Sequence, residues 1–436
     1  MLKILPGKLI LLFYCVFLFE PAKAQDTTYS LEECIKLAFE NNLNVQRGKL
    51  DVESSRIDLN QSKMSRLPDL NIGSGYSRSW GRSINSVTNE FETVQRNSVG
   101  LNASSNMSIF NGFQISNSIK QSIVELEAGN ADLEKVKNDV ALSVANLYLN
   151  VIFNSELQSN AEVQLQSTQE QLDRTIKLVD VGSLPLTNQL NLQAQLATNE
   201  VDLVNAQNNY SLAVLQLKQA LLLPANDPFE IEVPDFDLEL IEAFYSTANE
   251  VYNSALGNQP DVKSADLRIR SADLGAKISR SAYLPSLTFS AGVGSNWTDS
   301  PFSSERAIFE GTEIVEEPFG YLASDPNEIV FSRLSQPRLV GVDQVTFSEQ
   351  IDENLNQSIN LNLAIPVFNR WRTKSDVQRS IIFRQRAELN AAEVRNNLRQ
   401  DIETAYNNYV ASLKSFTASE KQVNALQESF RIVDNQ

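Results

Sequence analysis

The sequence predicts a mixed α and β membrane protein, in which a long antiparallel α-helical coiled-coil barrel is joined to four transmembrane β-strands per protomer. Three copies would close those strands into a trimeric 12-stranded β-barrel. Three observations carry the prediction. Apolar residues recur every 3.6 positions over an unusually long stretch. Four short segments alternate apolar and polar residues with a period of two. The order of these elements occurs twice, an internal two-fold repeat.

The 436-residue chain opens with Lys3 and Lys8, an apolar run from Leu9 to Phe19, and Ala22-Lys23-Ala24. That is the order of a secretory signal peptide, read here as residues 1–24. The run is too short to span a bilayer, and no downstream stretch approaches the roughly 20 consecutive apolar residues a spanning helix needs. A membrane location therefore rests on strands. Cys15 follows Tyr14 inside the apolar run, without the small residue that precedes a lipidated cysteine. Cys34 is then the only cysteine of the mature chain, so no intramolecular disulfide or cysteine metal cluster can form. It reads as a half-buried small residue on a helix.

The formal charge is −17, and removing Lys3, Lys8, Lys23 and Glu20 with the signal takes it to −19. Nucleic acid is excluded as a partner by that charge. The chain holds no histidine, which removes Ser-His-Asp triads, histidine bases and histidine-ligated metals. Its carboxylates fall mostly on the polar faces of helices. No cofactor, metal or enzymatic activity is expected.

The repeat is legible in short matches. Ala38-Phe-Glu-Asn-Asn-Leu-Asn-Val45 aligns with Ala255-Leu-Gly-Asn-Gln-Pro-Asp-Val262, a shift of 217 that also carries Leu67-Pro68-Asp69-Leu70 onto Leu284-Pro285-Ser286-Leu287. Ile109-Phe110-Asn111 matches Val367-Phe368-Asn369 at a shift of 258, and Tyr148 lands on Tyr406. About 41 extra residues thus lie between the two strands of the second copy. The first repeat is read as 25–240, with strands 68–80 and 97–110, a long helix 113–180 and a returning helix 186–223. The second is read as 241–436, with a helix 246–282, strands 285–297 and 357–368, and a long helix 372–436 that is truncated.

Each copy begins with a helix. In the first it runs from Leu31 to about Arg66, with Ser30 as N-cap and Glu33 as its capping-box partner. Pro68 and Pro285 end these helices. The period then becomes two: Leu70, Ile72, Ser74 and Tyr76; Leu287, Phe289, Ala291 and Val293; Val99 through Ile109; and Ile359 through Val367. The length and dyad pattern suit transmembrane barrel strands, although a half-buried soluble sheet has the same periodicity. Phe110-Asn111 and Phe368-Asn369 mark the passage from strand to helix. From Ile115 to Val151 the apolar positions take ten steps over 36 residues, the α-helical period. No stop appears before Val181-Gly182-Ser183-Leu184-Pro185, so this helix extends about 100 Å at 1.5 Å per residue. The returning helix offers Leu190, Leu192, Leu196, Val201, Val204, Leu212, Leu215 and Leu217 for antiparallel packing. A secreted or periplasmic coiled-coil scaffold or adhesin explains the helices, and leaves the strands without a purpose.

Four strands cannot close on themselves, and an open edge in lipid leaves backbone groups unpaired at several kcal/mol each. Oligomerisation follows. The sequence of helix, Leu-Pro-Xaa-Leu, alternating strands, Phe-Asn junction, long helix, Val-Gly-Ser-Leu turn and returning helix resembles the TolC-type outer-membrane efflux proteins over nearly all of the mature chain. The resemblance implies a homotrimer in the outer membrane of a Gram-negative bacterium, extending into the periplasm as the channel of a tripartite efflux or type I secretion system. Its implied partners are outer-membrane lipid, a periplasmic adaptor and, through the adaptor, an inner-membrane pump. Val181, Gly182, Ser183 and Leu184 would form the helical tip that meets the adaptor. Two departures stand out. The segment 298–356 is long and acidic, with Glu305, Glu310, Glu313, Glu316, Glu317, Asp325 and Glu328, and reads as a solvated, partly disordered loop at the outer mouth, the alternative being a lid. The chain also stops at Gln436, before the counterpart of Gly182, and is expected to be a truncated product.

Overall fold

The structure, a computed structural model, describes residues 28–84, 91–234, 247–299 and 305–434. The expected signal peptide, residues 1–24, lies outside them. The chain forms two units. One comprises the residues up to Ser55, Glu127–Asp266 and the residues from Ala391; the other comprises Arg56–Leu126 and Leu267–Asn390.

Element order is β1 (Thr28–Tyr29), α1 (Leu31–Asn41), α2 (Leu43–Met64), β2 (Asn71–Ile84), β3 (Phe91–Asn111), α3 (Gln114–Asp180), α4 (Leu186–Ala220) and β4 (Glu230–Ile231), followed by α5 (Ala248–Asn258), α6 (Pro260–Ser281) and β5 (Ser286–Thr298). Then come β6 (Glu305–Leu322), β7 (Asp325–Gln344), α7 (Phe347–Glu353), β8 (Asn356–Ala364) and α8 (Arg372–Asp434).

The first unit is helical and holds a core of Cys34, Ala38, Val45, Val140, Val144, Tyr148, Val151, Ala213, Leu217 and Leu221. Ser30 caps α1 in a full capping box, its hydroxyl accepting from the Glu33 N–H while the Glu33 carboxylate accepts from the Ser30 N–H at 2.9 Å. The Tyr148 hydroxyl faces the carbonyls of Tyr29 (3.0 Å) and Glu232, clasping the parallel β1–β4 pair in which Tyr29 sits opposite Ile231. Burial pushes its pKa up. Lys218, itself buried, donates to the carbonyls of Ala225 and Asp227 at 2.7 and 2.6 Å, which fixes the chain leaving α4. One stretch of α3 is apolar enough on average to cross a membrane. Within the first unit, however, Val140, Val144, Tyr148 and Val151 of α3 are committed to the core, and polar residues interrupt the run.

Cys34 is fully buried, where a half-buried site was expected. Burial pushes its thiol pKa up to about 11 from an ordinary 9.0. A thiol with a raised folded-state pKa contributes stability below pH 9 that is lost as pH climbs towards 11. Thiolate is the reactive species, so at pH 8 thiol-reagent labelling of the folded chain is expected to be at least about a hundredfold slower than in denaturant. Equal rates would place Cys34 at the surface.

Several local expectations are corrected. The helix expected from Leu31 to Arg66 breaks at Asn42, whose backbone is extended (φ −61°, ψ 125°) while its N–H still bonds Ala38 and its side chain accepts from the Asn44 N–H at 2.8 Å. An Asn offering its own hydrogen bonds replaces one helical turn with a paired C-cap and N-cap. The helix expected over 246–282 likewise divides at Gln259, because Pro260 disfavours helical backbone before it and suits the first position of the next helix. Residue 246 lies outside the described residues. In α3, Ile123 is exposed while Val124, Ala128 and Ala131 are buried. In α4, Leu190, Val201, Val204 and Leu212 are exposed, and the buried seam instead contains Asn199, whose amide donates to Thr168 at 2.8 Å.

The largest correction concerns 298–356. Among its described residues it is no loop: β6 and β7 form a long antiparallel hairpin with the tip near Leu322↔Asp325. Arg333 pairs Glu316 across it at 2.7 Å. The short helix α7 then bonds back to β5, with the Thr298 N–H donating to Gln350 at 3.0 Å and Trp297 against Phe347 at 5.8 Å.

Candidate membrane-spanning sheet and hairpin turn

The second unit contains one four-stranded antiparallel sheet, ordered β2-β3-β5-β8. Residues opposite one another in an antiparallel ladder share a face, so the register decides whether the four alternating patterns coincide. They do. The rows Ile72–Ala103–Val293–Gln357, Ser105–Ala291–Ile359, Met107–Phe289–Leu361 and Phe110–Leu287–Leu363 lie on one face, apolar except for Ser105 and for Gln357 at the start of β8. The rows Gly73–Asn102–Gly294–Asn356, Asn106–Ser290–Asn360 and Ser108–Thr288–Asn362 lie on the other. Every strand contributes its apolar set to the same side.

That side is bare within the chain: Ile72 is 81% exposed, Ile359 76% and Leu361 66%. Leu287 to Trp297 along β5 is ten residue steps, about 33 Å at 3.3 Å per step, or about 25 Å across at a 40° tilt. This equals the height of the lipid-facing band of outer-membrane barrels. The opposite face is built from Asn, Ser, Thr and Gly. A register shift between Ser108 and Phe110 puts Phe110, in place of Ile109, opposite Leu287.

The edges of the sheet are β2 and β8. Among the described residues neither outer edge carries a ladder partner. The ladder at β8 stops at Ala364 rather than reaching 368, since Pro366 has no N–H to continue it.

At the strand ends the structure places the four junctions together by topology, since β2 and β5 begin where β3 and β8 end. Pro68 leads into a turn whose Asp69 exchanges bonds with Asn106, donating its N–H to the carbonyl at 3.0 Å and accepting from the N–H. Pro285 directly precedes β5. After Phe110 and Asn111, Gly112 and Phe113 both take left-handed backbone (φ 63° and 68°). After Phe368 and Asn369, Arg370 and Trp371 do the same (φ 56° and 64°). The sequence reading found the junctions and missed these consecutive left-handed corners; Gly112 was the available signal.

Val181–Leu184 joins α3 to α4. Gly182 is left-handed (φ 80°), its N–H bonds Val179 at 2.9 Å and the Ser183 N–H bonds Leu178 at 2.8 Å, satisfying the last carbonyls of α3. Val181 is 73% exposed, and beyond Gly182 and its two chain neighbours no described atom lies within 4 Å of where a Gly182 Cβ would sit. The turn is an uncovered point, with nothing of its own to pack against.

Comparison with known proteins gives one consistent answer. The sequence pattern of the family described as "Outer membrane efflux protein" matches residues 34–221. "Outer membrane protein TolC" of Escherichia coli K12 is 22% identical over 397 residues, covering 89% of this chain and 69% of the relative. Among solved structures, a membrane protein from Pseudomonas aeruginosa superposes with a TM-score of 0.65 at 14% identity, covering 92% of this chain and 77% of that one. The open-state MtrE outer membrane channel of Neisseria gonorrhoeae gives 0.60 at 17% identity, covering 92% and 78%.

Proposed function

We propose that the chain is a TolC-type outer-membrane efflux protein lying in the outer membrane, and that three copies of it form one passive export conduit. The observation that carries the reading is the register of the sheet, which gathers the apolar positions of four strands into one exposed band of bilayer height. An open sheet with such a face is untenable in lipid until its edges pair. Strand directions alternate across β2-β3-β5-β8, so β8 of one copy meets β2 of the next antiparallel, and three copies close a 12-stranded barrel with the Asn and Ser face inward. The matched element lengths, 11 and 22 residues for α1 and α2 against 11 and 22 for α5 and α6, support reading the protomer as a duplicated unit of residues 25–240 and 241–436.

In this reading the long helices lie in the periplasm, and the exposed apolar residues of α4, Leu190, Val201 and Val204, face neighbouring helices of the trimer. The conduit is no enzyme; an adaptor and an inner-membrane pump supply energy and cargo, in a tripartite efflux or type I secretion system. Val181, Gly182, Ser183 and Leu184 meet the adaptor. The β6–β7 hairpin stands at the outer mouth.

Two experiments test this. Detergent extraction of the membrane fraction is expected to yield a trimer that conducts ions in a planar bilayer, whereas a soluble elongated monomer would sink the reading. For the tip, Gly182→Val places a β-branched residue in left-handed backbone without any clash beyond the turn. Export in cells carrying the pump is expected to fall about tenfold or more with trimer yield unchanged. Unaltered export would remove the adaptor role from the turn.

A further inference from the structure

The corner between β8 and α8 combines features that neither the ladder nor the helix needs. Arg370 and Trp371 are both left-handed, a conformation that costs an ordinary residue roughly 1–2 kcal/mol. Hydrogen bonds hold the corner in that conformation. The Arg372 N–H bonds the Asn369 carbonyl at 3.2 Å, the Asn369 amide bonds the buried Thr373 hydroxyl, and the Ser375 N–H bonds the Trp371 carbonyl at 2.9 Å.

What the corner displays is apolar and cationic together. Val367 is 92% exposed, Phe368 76% and Trp371 62%, and the Lys374 ammonium lies 3.8 Å from the centre of the Trp371 ring. Arg370, Arg372 and Lys374 are exposed, and no acidic residue occurs between Glu353 and Asp376. Asp376 itself is paired with Arg379 at 2.5 Å. The other junctions at this end of the sheet add exposed Arg66 and Arg280, and one carboxylate, Asp69, which accepts from the Asn106 N–H. In a chain of net charge −17, three cations within five residues around an exposed tryptophan are a local reversal of sign. The opposite end leads into the acidic hairpin.

A tryptophan and cations at the rim of a lipid-facing band match the chemistry of a bilayer interface, where the ring sits at headgroup level and arginine and lysine meet phosphate. We propose that the Val367–Lys374 corner is a binding site for the headgroup of an anionic phospholipid in the inner leaflet of the outer membrane. Trp371 sets its depth, and Arg370, Arg372 and Lys374 engage its phosphate. The proposal rests on reading the sheet as the membrane-spanning wall.

The chain has three tryptophans, Trp80, Trp297 and Trp371, so each can be isolated by Trp→Phe changes at the other two. The test reconstitutes the full chain in phosphatidylcholine vesicles containing phosphatidylglycerol, with one lipid or the other brominated on its acyl chains, and reads tryptophan quenching. At Trp371 the preference for phosphatidylglycerol over phosphatidylcholine is expected to be about threefold or more at low salt. It should fall to about one in the R370Q/R372Q/K374Q variant, in which Trp297 quenching checks that the protein still inserts, and should weaken in 0.5 M salt as a screened charge interaction does. Trp297 should show no preference. Equal quenching of Trp371 by both lipids in the unchanged corner overturns the proposal while the sheet stays in the bilayer. Absence of quenching at Trp297 by either lipid overturns the membrane reading, and the proposal with it.

Discussion

Ile359→Arg is expected to prevent assembly of the membrane-inserted trimer, while Asn360→Arg, one residue away, leaves it intact. Ile359 sits in the row Ser105–Ala291–Ile359, near the middle of the band from Leu287 to Trp297, and is 76% exposed. An arginine facing lipid at mid-depth costs roughly 2–4 kcal/mol. In a trimer the change occurs three times. Asn360 belongs to the row Asn106–Ser290–Asn360 on the polar face, where an arginine points into water and alters ion selectivity instead. Urea denaturation of the reconstituted proteins measures the first effect and reversal potentials in a salt gradient the second. Equal loss of assembly from both substitutions would show that the two faces do not differ in what they contact.

Gly112→Val is expected to destabilise the second unit by more than about 3 kcal/mol, a value outside the ordinary run of substitutions and tied here to two named causes. A Cβ at Gly112 would lie 2.5 Å from the Ser281 carbonyl oxygen and 2.8 Å from the Leu284 Cβ, in backbone with φ 63°. A backbone carbonyl and a Cβ, which is fixed to its backbone, cannot move aside as a flexible side-chain tip could. The related corner gives the opposite expectation. Arg370→Gly should stabilise by about 0.5–1 kcal/mol, because glycine takes φ 56° without the penalty an arginine meets. Denaturation midpoints of the two variants should therefore move in opposite directions, and a shared direction would show that local backbone conformation is not what the two corners have in common.

Periodicity made the sheet legible. Leu287, Phe289, Ala291 and Val293, like Ile359, Leu361 and Leu363, fall on one face of the sheet, and a strand places one face at alternate positions. The long helices were legible for the same reason. The β6–β7 hairpin was not, because its faces are mixed: Ile314 and Phe331 share a face with the Glu316–Arg333 pair, and Val315–Leu334 shares the other with Glu313 and Glu317. A strand without a dry side carries no period-two signal. Asn42 escaped notice because a helix broken by side-chain hydrogen bonds needs neither proline nor glycine. The seam of the α3–α4 hairpin was misjudged at Leu190, Val201 and Val204 because apolar periodicity marks every dry face without naming its neighbour. At Thr168 and Asn199 a polar pair took a buried place that periodicity reserves for leucine. Of the candidate site, the tip turn and both strand-to-helix junctions could be read from Gly182, Phe110-Asn111 and Phe368-Asn369. The cationic corner could not, since it depends on Arg370 and Trp371 being held left-handed.

The polar face of the sheet carries no formal charge along the rows from Gly73–Asn102–Gly294–Asn356 to Ser108–Thr288–Asn362. Closed into a wall, it would present amides and hydroxyls that serve cations and anions alike through either end of their dipoles. Such a surface creates neither a well that traps a charged solute nor a barrier that turns one back. Discrimination by charge would then fall to residues outside these rows, such as Arg96 opposite Ser79 on the same face, leaving this segment to act as a corridor whose traffic is limited by width.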